Sequence, residues 1–181
     1  MTIDPAIAAL IVTCIALLFA GAAVHKFRDL RRFDEIFAAY GLLPLAARLR
    51  LSRAVPFLEA LVAGGLLLDV SRDAAACVGI VLLLVYAAAI SFNLLRGRRE
   101  LACGCGGPDD RRPIAPWMVW RNILFAVVLF AVMLPWSQRP LGMTDMITIG
   151  FGTATCALVY LCLDRLLGRT GRRSAELRMS Q

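Results

Sequence analysis

The sequence has little of what covers a soluble protein: charged residues make up 18% of its 181, aromatics 8%, and there is one histidine. With 60% hydrophobic residues and a mean hydropathy of +0.73, the composition excludes an ordinary soluble domain. A Cys-x-x-Cys-His run is absent, which excludes covalent haem attachment. The cysteine spacing usual for zinc is missing too, so no metal is expected. No basic residue precedes the first apolar run and Asp4 stands there instead, so the start does not read as a cleaved signal peptide. There is no internal repeat, and no polar stretch is long enough to form a separate domain.

What remains is apolar sequence in membrane-sized lengths. Five stretches approach or exceed the ~20 residues that cross a bilayer: 7–24, 55–70, 74–95, 118–136 and 146–163. The second is the shortest and contains Glu59. The reading is an all-α integral membrane protein of about five transmembrane helices, with residues 1–181 as one transmembrane domain and 165–181 as its basic tail.

The basic residues give an orientation. Of 20, seven fall between the first and second spans, six between the third and fourth (counting Arg121 at the membrane edge) and five after the fifth. Only Arg72 and Arg139 lie in the other loops. The positive-inside rule then sets the N-terminus outside, with the C-terminus and the loop after the third span in the cytosol. The pI of about 9.6 follows from contact with an anionic leaflet and gives no reason to invoke nucleic acid; the lipid bilayer is the partner.

Between Lys26 and Tyr40 the apolar residues Phe27, Leu30, Phe33, Ile36, Phe37 and Tyr40 recur at three- and four-residue intervals. That period predicts an amphipathic helix on the membrane surface or capping the bundle, or a surface-lying linker. Gly41 and Pro44 end it, and Pro56 marks the entry to the second span. Asp109 to Arg112 read as a solvated loop tip, after which Pro113 and Pro116 restart the chain before the interfacial Trp117 and Trp120.

The chemistry centres on Cys103-Gly104-Cys105. Thiols one residue apart close only a small, strained ring, and strained, accessible disulfides are labile, regulatory or catalytic. The topology brings His25, Glu59, Asn93, Arg121 and Asn122 to the same end of the bundle as this pair. Glu59 within a span is expensive unless paired or wet, so it is either functional or bridged to Lys26, Arg121 or His25. His25 could move the thiol proton or merely sit at the interface. Asn93 is a pocket residue or a helix-packing one. Lys26, Arg96, Arg98 and Arg99 would stabilise a thiolate. Cys14, Cys77, Cys156 and Cys162 lie within spans and read as small apolar residues, with no second pair facing outward.

The pattern Gly21-x-x-x-His25-Lys26-x-x-Asp29, then Tyr40-x-Leu42-Leu43-Pro44, then Pro56-x-x-Glu59, resembles the MauE/DoxX group of membrane proteins. Asn93-Leu94-x-Arg96-Gly97-Arg98 followed by Cys103-Gly104-Cys105, and then Trp117 with Arg121-Asn122, narrows the resemblance to the methylamine utilisation protein MauE family. Gly106 departs from the aromatic residue usual there. The resemblance implies a DoxX-like four-helix bundle plus one helix, a bacterial inner-membrane location and a maturation role. The client would be the small, beta subunit of methylamine dehydrogenase, and the partner a thioredoxin-like MauD protein. By the same resemblance, Cys103 and Cys105 would be the redox pair, with His25, Glu59 and Asn93 shaping their pocket. No cofactor is firmly implied, although the pair could couple to a membrane quinone. A non-catalytic assembly or anchoring subunit is the alternative. A small-solute transporter, resting on Glu59 alone, ranks third.

Overall fold

The computed structural model describes residues 3–42, 44–104, 113–137 and 139–179, so Cys105 and the expected loop tip at Asp109 to Arg112 lie outside the described residues. The described residues form six helices: α1 (Pro5–Arg28), α2 (Leu30–Ala39), α3 (Leu45–Leu66), α4 (Arg72–Leu95), α5 (Pro116–Val132) and α6 (Met143–Met179). There is no strand among the described residues, only two isolated bridges. α1, α4 and the stretch Met143–Leu166 of α6 are long and apolar enough to cross a membrane, and α5 is a shorter apolar helix.

Local chemistry sets the breaks. Asp4 accepts from the Ala6 N–H at 2.9 Å and Pro5 takes the first helical position, a favourable N-terminus. Asp29 leaves helical geometry and its carboxylate accepts from the Arg32 N–H at 3.0 Å, so one residue ends α1 and caps α2. The amphipathic segment is therefore a separate helix from Leu30, while Phe27 belongs to α1.

The helix at the second span differs from expectation. It begins at Leu45 and ends at Leu66, so Pro56 lies inside it, buried, rather than at its entrance. Arg48, Arg50 and Arg53, counted above in the loop before this span, belong to the helix; Arg48 Nε lies 3.7 Å from Asp34 Oδ1 on α2. After Leu66 the chain turns, the Leu67 and Leu68 N–H groups donating to the Gly64 and Gly65 carbonyls and the Ser71 hydroxyl to the Gly65 carbonyl at 3.0 Å.

One apolar core joins α1, α3, α4 and α5 through Val12, Phe19, Val62, Leu66, Leu82 and Leu129. Alanines 16, 63, 75, 76 and 126 thicken it, and such small residues allow the close van der Waals packing that holds helices together in lipid. α6 contributes no residue to this core and packs along α1. At the end carrying Asp4, Ile3 pairs with the segment Pro135–Ser137, and Arg139 bridges Asp4 (3.0 Å) and Asp145 (2.7 Å). At the opposite end lie α2, Asn93 and Cys103.

Candidate functional site

Within the bundle, Glu59 is 1% exposed and pairs with Lys26, which is 6% exposed. Tyr86 of α4 donates its hydroxyl to the same carboxylate oxygen at 2.7 Å. The ammonium also sits over two aromatic faces, 5.1 Å from the Phe33 centroid and 5.2 Å from that of Tyr86, a favourable cation–π setting. Of the three cations considered for Glu59, the structure selects Lys26. The Nδ1 of His25, its neighbour, is buried with no hydrogen-bond partner among the described residues.

A cavity of about 70 Å³ adjoins this pair, lined by Lys26, Glu59, Tyr86, Arg121, Asn122 and Tyr160 among apolar side chains. Each of α1, α3, α4, α5 and α6 thus contributes at least one polar residue to it. Arg121 Nη1 reaches the Tyr160 hydroxyl and Asp164 Oδ1, both at 3.3 Å. Glu59 Oε2 is buried with no hydrogen-bond partner, so the carboxylate keeps an unused acceptor beside this space. Among the described residues no group of His, Cys, Asp and Glu is arranged to hold a metal.

The cysteine loop is a second, distinct assembly. Cys103 is 9% exposed and packs with Ile90, Ile114 and Met118, with Tyr40 and Trp117 at the edge. The accessible thiol expected from the sequence is thus, at Cys103, a buried one. The physical reason is the return of the chain: Ala102 bridges to Pro113, the Ile114 N–H donates to the Leu101 carbonyl at 2.9 Å, and the loop folds against α4 and α5. Gly104 has φ +70°, and a methyl group there would meet Ile36 Cγ2 at 3.1 Å and Phe33 Cδ2 at 3.9 Å. Only glycine takes this left-handed turn so close to α2 without strain. Phe33 therefore stands between the two assemblies, with Lys26 on one side and the cysteine loop on the other.

Asn93 is fully buried and serves the loop end of α4. Its Nδ2 donates to the Ala89 carbonyl at 3.1 Å and its Oδ1 accepts from Arg98 at 3.4 Å. Arg98 also donates to the Ala39 carbonyl at 2.9 Å, which ties the end of α2 to the end of α4. Three of the four cations expected to attend the thiols have other engagements: Lys26 with Glu59, Arg98 with the Ala39 carbonyl, and Arg96 over the Phe92 ring at 4.1 Å.

A family profile described as "Methylamine utilisation protein MauE" matches residues 4–137. The chain belongs to the MauE family. Relatives named methylamine utilization protein MauE include one from Paracoccus denitrificans, 33% identical over 90% of this chain and 88% of the relative. Another, from Methylophilus methylotrophus, is 29% identical over 93% and 90%. A third, from Paracoccus versutus, is 32% identical over 87% and 86%. No solved structure matches the chain. The MauE match covers α1 to α5, with the Lys26–Glu59 pair and the cysteine loop, and stops before α6 and its Tyr160.

For this MauE-family chain, sequence reasoning singled out Glu59 and the cysteine loop and missed Tyr86 and Tyr160. One signal was available: Lys26 is the only lysine, the other 19 basic residues being arginine. A lone ammonium among guanidiniums marks a position where a compact, titratable cation fits and a planar fork does not.

Proposed function

We propose that the protein is a membrane-bound thiol-redox factor of methylamine utilisation, acting through Cys103 and Cys105 in the maturation of the methylamine dehydrogenase beta subunit. A thioredoxin-like protein of the MauD kind is its partner. The observation that carries the reading is the seating of Cys103-Gly104 on α2, with Gly104 at φ +70° against Phe33 and Ile36. Such a seat holds the Cys103 thiol in place where an ordinary loop would leave it to fluctuate. The thiolate of one cysteine attacks a partner disulfide, a mixed disulfide forms, and the second cysteine displaces the partner. The partner gains two electrons and two protons, and the pair becomes a disulfide. With the loop in the cytosol, as the charge distribution favours, reducing equivalents travel outward.

The alternative is an anchoring subunit with no thiol chemistry. It draws support from α6, where Ile147, Phe151 and Leu158 lie exposed along one side of the bundle. Replacing Cys103 by Ser, and Cys105 by Ser, separates the two readings. The single variant that keeps the attacking cysteine is expected to trap a thioredoxin-fold partner in a bond that reductant releases, and the double variant to lose client maturation. Full maturation by the double variant would overturn the redox reading in favour of the anchor.

A further inference from the structure

The other cysteines look unrelated in the sequence, but the structure brings two of them together. α1 and α6 start at the same end of the bundle, where Arg139 bridges Asp4 and Asp145, and they run parallel from there. A methyl group on Gly152 of α6 would lie only 2.9 Å from Leu10 Cδ1 on α1, so the two helices pack closely at that point and a larger residue would displace Leu10. One helical turn on, four residues along each helix, stand Cys14 and Cys156. The Cys14 side chain neighbours those of Cys156 and Thr153. Thr153, 8% exposed, is the one buried residue among the described side chains of α6, and its hydroxyl has no nitrogen or oxygen partner. The register continues to Leu18 and Tyr160, a further turn along, and both of these line the cavity beside Glu59.

We propose that Cys14 and Cys156 form a second redox pair, an interhelical dithiol that a lipid-soluble quinone oxidises to a disulfide. Both cysteines are thiols in the structure and lie within the apolar lengths of their helices. Glutathione and thioredoxin-type proteins work from water, so a pair at this depth exchanges electrons with an acceptor dissolved in the lipid. Cys156 is exposed at this seam, open to such an acceptor. The balance is closed. Two S–H bonds break and one S–S bond forms, and the two electrons and two protons reduce the quinone to its quinol. A disulfide needs Cα atoms within about 7 Å, and the close packing at Gly152, one turn away, draws the two helices toward that separation.

The inference does not rest on the reading of Cys103 and Cys105, and its test removes them. The full chain with Cys77, Cys103, Cys105 and Cys162 replaced by Ala is placed in lipid nanodiscs and incubated with decylubiquinone. It is then denatured and labelled with a maleimide-polyethylene glycol that shifts its gel mobility. Two labelled thiols per chain are expected before quinone and none after, with one quinol formed per chain and both thiols recovered on reduction. The Cys14→Ser and Cys156→Ser variants are each expected to hold one labelled thiol throughout. Gly152→Leu, which wedges the helices apart, is expected to slow the oxidation at least tenfold. Persistence of both thiols in quinone would overturn the proposal, as would oxidation only between two chains. Cross-linking by copper phenanthroline without reaction with quinone would show neighbouring thiols and no quinone-coupled pair, which also overturns it.

Discussion

Substituting Lys26 or Glu59 tests the bundle's buried charge most directly. Lys26→Met leaves the Glu59 carboxylate, 1% exposed, with Tyr86 as its one remaining donor. Glu59→Leu leaves an ammonium with only the Phe33 and Tyr86 rings. Removing one partner of a buried ion pair costs about 3–5 kcal/mol, because the survivor keeps its desolvation cost and loses its counter-charge. Replacing both by apolar residues removes both penalties, and the double variant Lys26→Met/Glu59→Leu is expected to be close to neutral. At about 2–4 °C per kcal/mol for a chain of this size, each single variant should lower the unfolding midpoint by on the order of 10 °C. The double variant should recover most of that loss. Thermal unfolding in detergent micelles, followed by tryptophan emission, measures all four proteins of the cycle. Single losses that simply add in the double variant would refute the coupling. Silent single variants would refute burial of the pair itself.

Gly104→Ala places a methyl group 3.1 Å from Ile36 Cγ2 at φ +70°, which costs about 1–2 kcal/mol for the left-handed backbone alone. The loop is expected to lift from α2, and maleimide labelling of Cys103 to accelerate severalfold; an unchanged rate would contradict the seating described. At the other end, the Arg139 side-chain hydrogen bond holds the Asp4 carboxyl below its ordinary value of 3.8. A depressed carboxyl adds stability that is present above 3.8 and is lost as pH falls through its folded value. Acid unfolding of wild type and Arg139→Gln should therefore converge as the pH drops below about 4, and a gap that widens there would refute the linkage.

The helices were legible in the sequence because apolar length is a strong signal: four of the five expected spans lie on helices α1, α4, α5 and α6 to within a few residues at most of their ends. The second was misjudged because Arg48, Arg50 and Arg53 look like loop residues, yet they continue the helix and Arg48 meets Asp34 of α2. Glu59 was legible as a charge in need of a partner. Which cation serves it was not, since His25 and Lys26 are adjacent and point about 100° apart on α1, so the answer depends on how that helix is rotated. Burial of Cys103 depends on a loop folding back through Ala102 and Ile114, and proximity of Cys14 to Cys156 depends on the register between α1 and α6. Both are long-range facts without a local pattern.

The single lysine has one further consequence. Every basic residue other than Lys26 is arginine, a side chain that does not lose its proton at any physiological pH. Acetylation, ubiquitination and amine-directed reagents act on lysine, and here the lysine they would need is shut in beside a carboxylate. The side-chain positive charge that a bilayer reads is therefore chemically permanent. A cell could alter this protein's abundance or its thiols, but not its basic face by lysine modification.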